Sequence, residues 1–337
     1  MTLNRRDLLI ASAASTLLAA CTTATNTPPP PIVFVHGNGD TAALWTTTLW
    51  RFESNGWPRA RLHAVDIPYP LSRDDDTKPQ PGRSSTGENM AYLSAEVDKV
   101  LIATGARQVV LIANSRGGNA VRNYIQNGNG AGKVSHAVLC GTPNHGVYAD
   151  PNRPLNAEFN GAGAFLMGLN APKAPNGDEV TPGVKWLTIR SDANDKFAQP
   201  DGVWIGAKGV PTNVTFDGPA LKGAENVVIA GIDHRETAYS AKAFEAMFRF
   251  ITGKPPVSLA VVPEASVVLD GKVSGYFTHA AAGVVPTNLP LAGATSARLK
   301  LADETSRAVV GVFNDERLVG RTWPTANNEI STLELTY

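Results

Sequence analysis

The sequence predicts an α/β domain, with a mostly parallel β-sheet covered by helices on both faces, followed by a small all-β sandwich. Short apolar runs of strand length alternate with longer segments of helical spacing from Pro31 to about Ile251, and such alternation builds parallel crossovers. From Gly253-Lys254-Pro255-Pro256 onward the pattern changes to short apolar–polar alternation, broken by turn residues such as Asp270-Gly271. The 337 residues are enough for one large unit and one small one, and a hydrophobic content of 43% can fill a core.

Each element has its own signal. Pro31 to Val35 is a first strand, running into His36-Gly37-Asn38-Gly39-Asp40. Thr41 to Ser54 carries Leu44, Trp45, Leu49, Trp50 and Phe52 and reads as a helix with an aromatic face. Arg61 to Ile67 is a second strand. Residues 68–87 form a polar loop with prolines at 68, 70, 79 and 81. The run Asp74-Asp75-Asp76 within it reads as a solvated loop rather than a cation site. Thr86-Gly87-Glu88-Asn89 opens a long helix to about Thr104, apolar at Met90, Leu93, Val97, Val100 and Leu101, and Gly105 stops it. Val109 to Ile112 is a buried strand and Ala120 to Ile125 a helix. Val134 to Leu139, Val184 to Ile189 and Val227 to Ile232 are further strands, and Thr237 to Ile251 is a closing amphipathic helix. Residues 147–182 are irregular apart from the apolar patch Ala164 to Leu169. Beyond them Val257 to Val262, Ser266 to Leu269, Val273 to Phe277, Arg298 to Leu301 and Val309 to Phe313 read as short strands of the sandwich, residues 257–337.

The first residues read as an address rather than as structure. Asn4-Arg5-Arg6-Asp7-Leu8-Leu9 is a twin-arginine pattern, followed by a weakly apolar run from Leu8 to Ala20 that is too short to span a bilayer. Leu18-Ala19-Ala20-Cys21 resembles a bacterial lipoprotein box. Residues 1–21 are therefore expected to be a signal peptide for twin-arginine (Tat) export, cut before a lipidated Cys21 that anchors the protein to a membrane. Residues 22–30, Thr-rich and then Pro-rich, are an extended tether to a main domain at 31–252. Thr22 after the cysteine lacks the acidic signal for inner-membrane retention, so the expected location is periplasmic or outer-membrane-anchored. The second cysteine, Cys140, closes an apolar strand and reads as a core residue. Lys plus Arg and Asp plus Glu are 30 each, so no net field draws in nucleic acid.

The sequence chemistry centres on Leu111-Ile112-Ala113-Asn114-Ser115-Arg116-Gly117-Gly118-Asn119. A serine directly after a buried strand and before a helix, with small residues two positions to either side, is a nucleophile elbow. Ala113 and Gly117 meet the size demand. The turn puts the backbone N–H of Arg116 beside the hydroxyl. A serine needs a base, and in this arrangement the chain order is serine, acid, histidine, each after a different strand. Of the six histidines, His36, His63 and His136 fail on order or strand position, His145 comes too early, and His279 falls in the β module. His234, in Gly231-Ile232-Asp233-His234, stands in the expected place. The acid belongs in Arg190-Ser191-Asp192-Ala193-Asn194-Asp195. Asp195 is favoured, because several residues are needed to turn back to the histidine, and Asp192 is the alternative. The loop lacks the glycine and distal glutamate of a calcium loop, so no metal is expected. The second oxyanion donor comes from the loop after the first strand, at Asn38.

These residues together resemble a bacterial serine esterase or lipase of the α/β-hydrolase superfamily over residues 31–252. The resemblance rests on Val35-His36-Gly37-Asn38, Ala113-Asn114-Ser115-Arg116-Gly117, the Asp195 loop and Gly231-Ile232-Asp233-His234. Alanine at the first elbow position resembles the small Bacillus-type lipases, and Gly141-Thr142-Pro143-Asn144-His145-Gly146 is also lipase-like. The β module resembles one that some prokaryotic lipases use on bulky substrates. The resemblance implies an α/β-hydrolase fold, acyl transfer through Ser115, and no cofactor. Asn114 and Arg116, unusual beside the serine, are expected to line the site. Residues 147–182, with Phe159, Phe165, Leu166, Met167 and Leu169, stand where such enzymes carry a cap, or else simply pack on the sheet. Three functions compete: an esterase or lipase on an acyl ester substrate, a polyester (polyhydroxyalkanoate-like) depolymerase with an open serine, and a non-catalytic surface binding protein on a hydrolase fold.

Overall fold

The computed structural model describes residues 28–262 and, beyond them, eight short strand segments between Val268 and Glu334. The expected signal peptide and most of the tether lie outside the described residues. Six strands, β1 (Ile32–Val35), β2 (Leu62–Val65), β5 (Val109–Asn114), β6 (Val134–Cys140), β7 (Lys185–Arg190) and β8 (Glu225–Val228), form one sheet in the order β2-β1-β5-β6-β7-β8. All its pairings are parallel. Two-residue strands β3 (Leu71–Ser72) and β4 (Arg83–Ser84) pair within the loop that follows β2.

Alternation along the strands explains the two layers. Ile32, Phe34, Val110, Ile112, Val138 and Cys140 face one core, where they meet Trp45, Phe52 and Trp57 from one side of the chain and Phe244, Met247 and Phe248 from the other. Val33, Val35, Val109, Leu111, Ala113, Ala137 and Leu139 face the second. The first core is roofed by helices α1 (Thr46–Ser54), α5 (Glu236–Tyr239) and α6 (Ala241–Thr252). The second is roofed by α2 (Thr86–Thr104) and α3 (Arg116–Asn127), through Leu93, Val97, Val121 and Tyr124. Each apolar strand thus needs both layers, which is why no strand of the centre alternates with polar residues.

The long helix α2 runs between the expected ends. Ser85 accepts from the Glu88 N–H and Glu88 reaches back to the Ser85 N–H, a complete capping box, while Gly105 takes a left-handed C-cap at φ 63°. The acidic run is consumed locally: Asp76 accepts from the Thr86 N–H and hydroxyl, Asp75 from Thr77, and Asp74 from Gln80.

Several expectations need correction. The strand expected over Val227 to Ile232 is Glu225–Val228, because Gly231 at φ 81° ends the extended run and Ile229 and Ile232 turn into the core as loop anchors. The single closing helix is two, broken at Ser240, whose extended backbone lets its hydroxyl cap α6 through the Ala243 N–H. Val257 to Val262 is not a strand. Asn55 Oδ1 accepts from the Val257 and Ser258 N–H groups, Arg51 Nε donates to the Leu259 carbonyl at 2.7 Å, and Ser54 Oγ accepts from the Val262 N–H. This segment is a strap laid along α1. The end of the expected tether is also held, since Trp57 and Arg61 donate to the carbonyls of Pro30 and Pro29. Past Val262 the strand segments pair two by two, all antiparallel. The rest of the expected sandwich lies outside the described residues. Among the described residues no helix is long and apolar enough to cross a membrane.

Candidate active site

Chain order reverses direction between β1 and β5, and ligands of open α/β sheets bind beyond the carboxyl ends of the strands at such a switch point. Ser115 stands there, one residue past β5, with φ 52° and ψ −125°. That backbone conformation is sparsely populated for a side-chain-bearing residue and costs on the order of 1–3 kcal/mol. The surroundings hold it: the Ser115 N–H donates to the Cys140 carbonyl at 2.8 Å, and its own carbonyl accepts from the Gly118 N–H at 2.9 Å.

Small residues are required on all sides. A Cβ on Gly117 would sit 2.6 Å from the carbonyl oxygens of Val35 and His36, and one on Gly118 would sit 1.9 Å from Thr142 Oγ1. One on Gly37 would sit 2.8 Å from Ser115 Cβ, so the loop after β1 lies directly against the serine. Only the Gly117 constraint was read from the sequence. The others arise between distant segments and leave no local signal.

The structure brings His234 and Asp195 together. His234 Nδ1 and Asp195 Oδ2 are 2.9 Å apart, and both residues are buried. Asp195 Oδ1 accepts from the Phe197 N–H at 3.0 Å, and the Phe197 ring meets the imidazole edge-on with centroids 4.6 Å apart. Asp192 lies elsewhere: its carboxylate accepts from the N–H groups of Asn194 and Gly231, which hold its carboxyl below the ordinary range. It clamps the loop carrying His234 rather than touching the ring. Ser115 and His234 line one pocket of about 760 Å³, and the serine hydroxyl makes no hydrogen bond within the described residues. With Nδ1 engaged by Asp195, Nε2 is the ring nitrogen left to face a substrate.

The two expected oxyanion donors also lie at this spot. The Asn38 N–H has no hydrogen-bond partner among the described residues, and its side-chain Oδ1 accepts from the Ser72 N–H at 2.7 Å. Arg116 is the first residue of α3, where a backbone N–H has no intrahelical acceptor. His36 is structural: its Nε2 accepts from the Ile67 N–H at 2.9 Å.

The residues flanking the serine act differently from expectation. Arg116 does not line the pocket. Its guanidinium is buried against Glu158 at 2.6 Å and donates to the Pro70 carbonyl and to both the hydroxyl and carbonyl of Ser84. Burial pushes the Glu158 carboxyl up further than Arg116 draws it down. This pair ties the elbow to the β3–β4 loop. Asn114 does border the pocket, but its amide is spent on the carbonyls of Cys140 and His234 and on Thr237 Oγ1, each at 3.2 Å. The Thr237 hydroxyl donates to the same His234 carbonyl at 2.7 Å. Asn114 therefore fixes the backbone of the histidine from the strand that carries the serine.

The expected cap over 147–182 is also corrected in part. Helix α4 (Ala164–Asn170) buries Leu166 and Leu169 and is pinned by Arg122, which donates to the Leu169 carbonyl and the Asn170 side chain, so it packs on α3 rather than over the serine. The pocket is walled instead by Tyr148 and Phe159 on one side and by Ile205, Val214, Phe216 and Leu221, from the segment between β7 and β8, on the other. Among the described residues no cluster of His, Cys, Asp and Glu could hold a metal ion.

Residues 30–196 match the family model described as alpha/beta hydrolase fold. The lipase BlEst2 of Bacillus licheniformis, in its propeptide form, superposes with a TM-score of 0.47 at 20% identity, over 74% of this chain and 57% of that one. Lipase B of Aspergillus fumigatus gives 0.47 at 16%, over 71% and 56%. The carboxylesterase CesB of Bacillus subtilis gives 0.38 at 13%, over 68% and 85%. This chain thus spans little more than half the length of the first two.

Proposed function

We propose that this chain, built on an α/β-hydrolase fold, is a serine hydrolase of carboxylic esters acting through Ser115, His234 and Asp195. The observation that carries the reading is the buried Asp195–His234 hydrogen bond in the same pocket as a serine held at φ 52°. Ser115 Oγ attacks the ester carbonyl while His234 Nε2 takes its proton, and Asp195 stabilises the imidazolium through Nδ1. The tetrahedral oxyanion accepts from the N–H groups of Asn38 and Arg116. Collapse expels the alcohol, which receives the proton from His234, and leaves an acyl-enzyme. Water, deprotonated by His234, then attacks the acyl carbon, and the acid departs with Ser115 restored. No cofactor takes part in these steps.

The apolar pocket wall supports an acyl ester substrate, and activity on an insoluble polymer would favour the polyester alternative instead. The Asp195–His234 pair beside Ser115 supports an enzyme over the binding-protein alternative. Hydrolysis of p-nitrophenyl esters from acetyl to palmitoyl tests the reading. Wild type should show one preferred chain length, and Ser115→Ala should lose roughly 10⁴–10⁶-fold in kcat. A folded wild type inert on every ester would overturn it.

Export and anchoring are part of the proposal, on the sequence alone. Cys21→Ser should abolish incorporation of labelled palmitate and release the protein from the membrane fraction. Retention of both label and membrane association would overturn the lipoprotein reading.

A further inference from the structure

Arg190 ends β7 and lines the serine pocket. Its Nη1 donates to the Gly218 carbonyl at 2.6 Å. Its Nε is buried and has no hydrogen-bond partner, and among the described residues no carboxylate pairs with the guanidinium. In a planar guanidinium Nε–H and one Nη2–H share an edge, and that edge is the one left over here. It is the side-on fork that meets both oxygens of a carboxylate. A buried cationic donor without an acceptor is costly to maintain, and the contact to Gly218 leaves the Nε unsatisfied. The other cations of the pocket are committed: Arg235 bridges Asp40 at 3.0 Å, and Lys196 lies 5.5 Å from the Phe197 ring centroid. Ser115 follows β5 and Arg190 ends β7, strands two places apart in the sheet, a lateral separation on the order of 10 Å. The wall shared with them is apolar, through Phe216 and Leu221 among others.

We propose that Arg190 receives a free carboxylate at the far end of the acyl chain, so that the substrates are monoesters of dicarboxylic acids. The methylene chain lies along the apolar wall while the ester carbonyl sits at Ser115 and the distal carboxylate is held by Nε and Nη2 of Arg190. This inference rests on the ester-hydrolase reading for its chemistry, but the anion site itself stands on the pocket.

The test compares p-nitrophenyl hydrogen suberate with its methyl-capped diester. Wild type should favour the free acid by roughly 10- to 100-fold in kcat/KM, the range of a charge-assisted fork. Arg190→Met should erase that preference, read as the ratio of kcat/KM on the two suberates within the variant, and Arg190→Lys, which keeps the charge and loses the fork, should fall between. Equal rates on both suberates in wild type, or a preference that survives Arg190→Met, overturns the proposal. A second measurement needs no turnover. Ser115→Ala protein titrated calorimetrically with monomethyl suberate should bind it, and adding Arg190→Met should weaken binding by a similar factor. If wild type cleaves no ester but Arg190-dependent binding persists, the ester reading fails and the carboxylate site stands. If esters are cleaved without discrimination, only the carboxylate site fails.

Discussion

Asp192 and Asp195 stand three residues apart in one loop, and their surroundings divide the work between them. Asp195 is buried against His234 and Phe197, whereas Asp192 faces outward and holds the Gly231 N–H. Asp195→Asn should therefore lower kcat by about 10³–10⁴-fold, because the imidazole loses the partner that sets its tautomer. Asp192→Asn, which keeps an acceptor for Gly231, should cost less than about tenfold. Steady-state kinetics on one ester checks both, and equal losses would mean that the loop as a whole, not the Asp195 carboxylate, supports the histidine. That Asp195 and not Asp192 meets His234, in a pocket Ser115 also lines, was legible in the sequence, because chain order and strand-end position are local properties. The sequence pattern placed the side chains of both Asn114 and Arg116 in the site, whereas their partners lie between 26 and 123 positions away along the chain. A polar side chain beside a nucleophile reads as a substrate contact until its real acceptors are seen. The same holds for Gly37 and Gly118, whose close approaches exist only once separate loops have met.

Among the elements, α2 was the most legible, since its cap box and terminal glycine are written in consecutive residues. Its cap also has a pH signature. The Ser85 N–H, above all, and Arg73 hold the Glu88 carboxyl below its ordinary range. A carboxyl depressed in the folded state contributes stability above its unfolded value and loses it as pH falls through its folded one. Urea denaturation should therefore find Glu88→Gln less stable than wild type at neutral pH, by a few tenths to about 1 kcal/mol. The gap should close toward pH 3, and a gap that is constant with pH would assign the effect to packing rather than charge. The break at Ser240 was less legible. Helical spacing continues across it, and only the extended backbone of one serine separates α5, which fixes Thr237 at the site, from α6, which fills the core. Strand β8 was displaced for a similar reason: Ile229 and Ile232 satisfy an apolar pattern from within a loop.

For the whole molecule, the strap over 257–262 decides how the main domain hands the chain onward. Asn55 satisfies three of its contacts at once, accepting from Val257 and Ser258 and donating to the Ser258 carbonyl, while it also donates to the Arg51 carbonyl at the end of α1. Asn55→Ala should speed thermolysin cleavage between Val257 and Val262 severalfold, with ester turnover unchanged, because the site lies at the sheet's carboxyl edge rather than along α1. Unchanged cleavage would show that Arg51 and Ser54 hold the strap without Asn55. The alternating pattern that suggested a strand here is equally served by a segment that lies flat on a helix.

The same long reach has a consequence for synthesis. The Thr48 hydroxyl donates to the carbonyl of Ala238, and the aromatic cluster of Phe52 and Trp57 is completed only by Phe244 and Phe248. One face of the sheet, with only α1 upon it, therefore stays largely uncovered while the ribosome delivers most of the chain. The opposite face, roofed by α2 and α3, can close as soon as those helices emerge. A nascent chain halted anywhere before α6 exposes a greasy half-built slab, so truncated products should be chaperone clients or precipitate, whichever residues of the site they already contain.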